Sequence, residues 1–185
     1  RCNKACILCE HTYWHEKPDE LSLDEFKKIV DQFPKLQWVN LTGEGDAFLN
    51  KEYLDMIAYL KKREVCVYLV DSFDLIDKNR ARKLIELGVN GIWVSIDAAT
   101  KETYEKIKCG CDFERSINNL KEFIKLKKEM QSPIPELCFR YVVTSLNVNE
   151  MPDFLDLINS LGSKKDLGDG TIIEFVGLLK FKEVE

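Results

Sequence analysis

Short runs of β-branched and aromatic residues alternate along the chain with longer segments of helical period, and this alternation narrows the available folds more than any other feature. Trp38–Thr42, Val65–Val70, Gly91–Asp97, Leu137–Val143 and Thr171–Val176 read as five strands. Ahead of the first, Ser22 and Glu25 have the spacing of a capping box, and Leu23, Phe26, Ile29, Val30 and Phe33 follow at helical spacing until Pro34. Asn50 is the expected cap of a second helix with Tyr53, Leu54, Ile57 and Leu60 on its buried face. Asp77 opens a third, carrying Leu84, Ile85 and Leu87, with Gly88 just past its end. Thr100 caps a short helix to about Ile107, a long helix runs from about Asp112 to Met130, and another covers Asn149 to Leu161 before Gly162. Helical crossovers between apolar strands imply a parallel sheet covered by helices, so the predicted class is α/β. Ligands in such folds collect at the carboxyl ends of the strands. Those ends carry Thr42 to Asp46, Asp71 and Ser72, Ser95 and Asp97, and Thr144.

A length of 185 residues supports one full core, and 45% hydrophobic with 32% charged residues is a globular rather than a disordered composition. The formal net charge of -5 argues against a nucleic-acid backbone as partner. No apolar run approaches the roughly 18 residues of a membrane span, so no transmembrane segment is expected. Seven cysteines, three of them in one short loop, make a poor disulfide framework and a better metal site in a reducing compartment. The expected location is therefore the cytoplasm. The chain starts at Arg1, one residue before the first of those cysteines. The expectation is one domain over 1–185, cut from a longer protein and lacking an upstream strand and a downstream region.

Cys2, Cys6 and Cys9 bring three soft ligands together, which suits an iron–sulfur cluster or zinc. The fourth position separates the two. A structural zinc would take His11 or His15, in a binding module without chemistry, whereas a cluster with one open iron has room for a cofactor. Cys109 and Cys111 flank a single glycine and read most simply as ordinary thiols, with a redox pair or a ligand pair as alternatives. Cys66 and Cys138 lie in apolar strands and read as small core residues. Arg140, a charge on the fourth strand, needs a partner: either an acid such as Glu174 or an anionic ligand. Lys121 to Glu129 reads as a solvated helix face.

The C-x3-C-x2-C spacing, with Leu8 before its last cysteine, resembles the signature of the radical S-adenosylmethionine (radical-SAM) superfamily. Three further segments carry the resemblance. Gly43-Glu-Gly-Asp-Ala-Phe-Leu-Asn50 is similar to the family's Gly-Glu-Pro-Leu-Leu motif after strand two. Ser95 to Ile107 resembles the strand-four segment of the peptide-modifying, SPASM-like subgroup, which often carries auxiliary clusters downstream. Phe175-Val-Gly-Leu178 falls where strand six lines the adenine pocket.

The resemblance implies a partial (βα)6 TIM-like barrel, of which the strands here would be the second to the sixth. It implies a 4Fe-4S cluster on Cys2, Cys6 and Cys9 and S-adenosylmethionine held by Leu8, Gly45, Asp46, Ser95 and Val176. Reductive cleavage of that cofactor would give a 5′-deoxyadenosyl radical that abstracts hydrogen from a substrate, peptide, protein or small molecule. The electron would come from a reduced donor such as ferredoxin or flavodoxin. No base or nucleophile is assigned, because the cofactor fragment is the abstracting agent. The chain departs from the family in carrying Asp46 for glutamate, Ala47 for proline, and Asp71-Ser72-Phe73 where relatives often have Thr-Asn-Gly.

Overall fold

Residues 1–14, 17 and 19–177 are described by a computed structural model. They hold five strands: β1 (Trp38–Asn40), β2 (Cys66–Asp71), β3 (Gly91–Ser95), β4 (Glu136–Val143) and β5 (Ile173–Gly177). The helices are α1 (Leu23–Val30), α2 (Tyr53–Lys62), α3 (Lys78–Glu86), α4 (Lys101–Ile107), α5 (Phe113–Glu129), α6 (Met151–Leu161) and α7 (Lys164–Leu167). All neighbouring strands pair in parallel, in the sequential order β1-β2-β3-β4-β5. The sheet curls into a half-barrel, the α/β architecture expected from the alternation of elements.

Strand alternation decides what each face carries. On β2, Val67, Leu69 and Asp71 are buried while Cys66, Tyr68 and Val70 are half-buried. On β4, Leu137, Phe139 and Tyr141 are buried and Cys138, Arg140 and Val142 are partly open. The fully buried set joins Ile57, Leu60, Leu84, Leu120, Phe123 and Phe154 of the helices in one core. Burying each such side chain contributes about 1.5–3 kcal/mol. The half-buried set lines the other, concave face. Cys66 and Cys138 belong to this second set, so the reading of them as core residues is corrected. Arg140 also faces this way, where its Nε donates to Glu174 at 2.8 Å and its guanidinium lies 4.6 Å from the Trp93 ring centre. The acid, rather than a ligand, is its partner.

Helix ends follow the local sequence. Ser22 and Glu25 form the capping box, and Asp77, Thr100 and Asp112 each accept a main-chain N–H from the first turn of their helices. Gly88 takes φ +69° just past α3, as a C′ residue does. Asn50 does not cap α2, because Glu52 holds that position. Asn50 instead accepts from the Glu52 N–H at 2.8 Å and donates to the Leu21 carbonyl at 2.8 Å. Ile29 and Phe33 are exposed, since α1 spans only Leu23–Val30 and buries Phe26 and Val30 alone. Lys127 corrects the reading of Lys121 to Glu129 as wholly solvated. It is buried and donates to the carbonyls of Pro135 and Leu167 at 2.6 and 3.0 Å, tying α5 to β4 and α7. Among the described residues no helix is long and apolar enough to cross a membrane.

Candidate active site at the carboxyl ends of the strands

The cysteine loop has little secondary structure of its own and is held by main-chain bonds to two other segments. The Asp46 N–H donates to the Arg1 carbonyl at 2.9 Å, the Ala5 N–H to Cys109 at 2.8 Å and the Ile7 N–H to Ile107 at 2.9 Å. The loop is thereby strung between the glycine turn after β1 and the link from α4 to α5. Gly45 makes the first contact feasible. It has φ +129°, and a β-carbon there would stand 2.3 Å from the Arg1 carbonyl oxygen, so no other residue fits. Beyond Cys9 a 3-10 turn, Glu10–Tyr13, folds back, with Thr12 donating to the Cys6 carbonyl at 2.7 Å and Tyr13 to Ile7 at 3.1 Å.

A cavity of about 310 Å³ opens between this loop and the strand ends. Cys2, Cys6, Leu8 and Cys9 line it from one side, and Gly45, Asp46, Asp71, Ser95 and Val142 from the other. Of the residues expected to hold cluster or cofactor, Val176 alone stands outside the lining, one strand further out and in register with Val142. His11 lies in the 3-10 turn with its ring 6.4 Å from that of Trp14 and does not line the cavity; His15 and Leu178 lie outside the described residues. Among the described residues no three His, Cys, Asp or Glu side chains converge on a point that would hold one metal ion. Tetrahedral zinc needs its donors about 2.0–2.3 Å from one centre. Several soft thiols lining one cavity make a donor set that fits an iron–sulfur group.

Two buried lysines, neither singled out by the sequence, organise the polar wall. Lys4, between the first two cysteines, has a side chain only 6% exposed. Its ammonium pairs with Asp46, donates to Ser72 Oγ at 3.2 Å and lies 3.8 Å from Asp74. Burial is the largest single influence and would lower its pKa, but the hydrogen bond and charge of Asp46, with Cys111 and Asp71, together outweigh it and the net shift is upward. Asp46 also accepts from the Phe48 N–H at 3.1 Å. The carboxylate expected to receive an incoming ammonium therefore already holds one from its own chain.

Lys108 plays the corresponding part on the far wall. It pairs with Asp97 at 2.8 Å and donates to Ser95 Oγ at 3.0 Å, so the Ser95 hydroxyl keeps its own proton to donate into the cavity. Burial is again the largest single influence and opposes its charge, but Asp97 together with Tyr104 and Cys6 outweighs it, raising the pKa. Asp97 also accepts from the Val142 N–H at 2.8 Å, bridging β3 to β4. Asn147, fully buried, donates to the carbonyls of Asp97 and Val142, both at 2.8 Å.

Cys111 completes the lining. It is buried and lines the cavity beside Cys6. The interaction of the two thiols, with burial, holds Cys6 above the ordinary thiol range, and the same interaction holds Cys111 below it, where Lys4 and Lys108 also favour the thiolate. Cys109 is half-buried off the lining, its thiol directed to the Lys106 carbonyl at 3.4 Å. The two thiols flanking Gly110 thus occupy different surroundings.

Asp71 is buried at the cavity wall, and burial, then the neighbouring Asp46, pushes its pKa up to about 7 against the opposing Phe73 N–H. A raised carboxyl pKa means that the folded chain binds this proton more tightly than the unfolded one. The resulting stability is full below the unfolded value of about 3.9 and is lost as pH rises through the folded value of about 7. Asp71→Asn removes the titration and keeps an oxygen for the Phe73 N–H. Thermal melts should therefore show the variant gaining on the wild-type chain from about pH 5 to about pH 8, by on the order of 1–3 kcal/mol. A constant gap would contradict the assignment.

Residues 1–158 match the family model described as the Radical SAM superfamily. The chain belongs to the radical SAM superfamily. A tungsten-containing aldehyde ferredoxin oxidoreductase cofactor-modifying protein of Pyrococcus furiosus is 27% identical to this radical SAM chain over 169 residues, 88% of the chain and 46% of the relative. A probable GTP 3′,8-cyclase of Methanocaldococcus jannaschii is 25% identical over 182 residues, 96% of the chain and 57% of the relative. The chain spans about half the length of the curated relatives it matches. Streptococcus suis SuiB, solved with its precursor peptide SuiA, shares the radical SAM fold at a TM-score of 0.75 and 11% identity, over 99% of this chain and 38% of that one. The radical SAM family is one of enzymes, and its cofactors are S-adenosylmethionine and an iron–sulfur cluster.

Proposed function

We propose that the chain is the core of a radical SAM enzyme that binds a 4Fe-4S cluster on Cys2, Cys6 and Cys9, binds S-adenosylmethionine beside it, and acts on a peptide or protein. The observation that carries this reading is the convergence of the three thiols with Asp46, Ser95 and Val142 on one cavity. When bound, the reduced cluster supplies the electron that splits S-adenosylmethionine into methionine and a 5′-deoxyadenosyl radical, which takes hydrogen from the substrate.

The chain's own residues bind, orient and exclude. Lys4 and Lys108 set positive charge beside the thiols, which favours thiolates at the loop. Gly45 and Asp46 form the wall for the methionine end, Asp46 by fixing Lys4 and the turn. Ser95 Oγ, accepting from Lys108, offers its proton to the cofactor. The Leu8 main chain and, one strand outside the cavity lining, Val176 are the residues that the family resemblance would set against the adenine. A reduced donor such as ferredoxin or flavodoxin delivers the electron. The peptide class rests on the resemblance of Ser95 to Ile107 to the peptide-modifying subgroup. The shared fold with SuiB, a protein solved with a precursor peptide, agrees with it.

Anaerobic reconstitution with iron and sulfide, then dithionite and S-adenosylmethionine, tests the reading. A brown protein that forms 5′-deoxyadenosine is expected. A colourless protein with one zinc would overturn it, and a brown protein that forms none would overturn the cofactor part.

A further inference from the structure

We propose that Arg140 and Glu174, side by side on the concave face next to the cavity, are specificity-determining residues that hold the substrate through an uncharged amide group. Resting on the peptide or protein reading above, the assignment names the group by which that substrate is held.

Position is the first support. Arg140 is in register with Ser95 on one side and with Glu174 on the other. The next side chain of the same face on its own strand is Val142, and both Ser95 and Val142 line the cavity. Neighbouring strands lie about 4.8 Å apart, and alternate residues of a strand about 6.6 Å apart. Arg140 therefore borders the cavity, and a group held on it sits beside the place where hydrogen is taken.

The pair is also fixed in place with bonding capacity left over. Arg140 Nε donates to Glu174 Oε2 at 2.8 Å, and the guanidinium lies 4.6 Å from the Trp93 ring centre. One edge and one face of the guanidinium are thus held. Its two Nη groups and Glu174 Oε1 make no hydrogen bond among the described residues. The two side chains are 37% and 38% exposed, and an ion pair that open adds little to stability. A guanidinium already held in one orientation is instead prepared to donate to a planar acceptor. Beyond Trp93 the concave face continues to Tyr68 and Trp38 around an opening of about 570 Å³, which leaves room for residues flanking the held group.

Charge selects the occupant. The pair is neutral as a whole and offers donors on Arg140 beside an acceptor on Glu174. A carboxylate would face Glu174, and an ammonium would face Arg140. An aliphatic side chain would cover both polar groups and bond neither, which is costly. An amide answers both, its carbonyl accepting from Arg140 Nη and its N–H donating to Glu174 Oε1. In a peptide that group is the side-chain carboxamide of asparagine or glutamine, or the main chain itself.

The test measures binding to the reconstituted chain, with S-adenosylmethionine present, of short capped peptides that differ only in a central glutamine, leucine, glutamate or lysine. The wild-type chain should bind the glutamine peptide about tenfold tighter than the glutamate and lysine peptides. A leucine peptide that binds like glutamine assigns the contact to the main chain, and one as weak as the charged peptides assigns it to the carboxamide. Glu174→Gln should move the preference to the glutamate peptide and Arg140→Gln to the lysine peptide, with affinity for S-adenosylmethionine unchanged in both. A wild-type chain that binds no peptide, or favours any other over glutamine, overturns the proposal even if the variants do not fold. So does a ranking that ignores both substitutions, or loss of cofactor affinity in Arg140→Gln. A colourless zinc protein overturns it together with the cluster reading, whereas a brown, cofactor-binding chain without the expected ranking overturns this inference alone.

Discussion

Alanine at Cys2, Cys6 or Cys9 is expected to leave a colourless chain with iron at background and no 5′-deoxyadenosine after reconstitution. Two remaining thiols on a half-buried loop do not hold a four-iron group against solvent, because each sulfur binds a different iron. The fold should survive, since none of the three contributes to the buried core. Far-ultraviolet circular dichroism and iron analysis on the same sample separate the two effects. Cys66→Ala and Cys138→Ala, on the concave face away from the cavity, should load iron as the wild-type chain does. Normal iron in any of the three loop variants would remove that cysteine from the ligand set.

Methionine at Lys4 should cost about 3–5 kcal/mol, the usual penalty for deleting one partner of a buried ion pair. It leaves Asp46 without its cation, and Asp74 Oδ2, which accepts no hydrogen bond, without the charge at 3.8 Å. Arg115 still holds the other Asp74 oxygen at 2.5 Å, so the loss centres on Asp46. At about 2–4 °C per kcal/mol for a chain of this size, the thermal midpoint should fall on the order of 10 °C. The double change Lys4→Met with Asp46→Asn should recover part of the loss by removing the stranded charge. Additive effects in that cycle would show that the two side chains do not act as a pair.

The strands and most helix boundaries were legible because their causes are local: period-two and helical spacing, and caps such as Ser22, Asp77, Thr100 and Asp112. The cysteine loop was legible because its three thiols are neighbours in sequence. What escaped depends on contacts between distant segments. Lys4 reads as an ordinary solvated lysine until the β1 turn and the end of β2 close over it, bringing Asp46, Ser72 and Asp74 to its ammonium. Asp46 was visible as an acid at the right place, yet nothing in its neighbours shows that its charge is already matched. Cys111 joins Cys6 in lining the cavity only through the parallel crossovers that set the α4–α5 link beside the loop. Ile29 and Phe33 had the spacing of a buried stripe and lie open, because pattern alone does not reveal which helix faces acquire a neighbour.

The bonds from Ala5 and Ile7 to the α4–α5 link have a thermodynamic consequence for assembly. Fixing a residue's backbone costs about 1–2 kcal/mol, and here that ordering is met by the polypeptide as it folds, before any inorganic guest arrives. Small metal-dependent domains behave otherwise, spending metal affinity on acquiring a shape. In this chain the receptor is preorganised, so the free energy of metallation goes to holding the guest, and a chelator should strip the iron while leaving an intact scaffold ready for refilling.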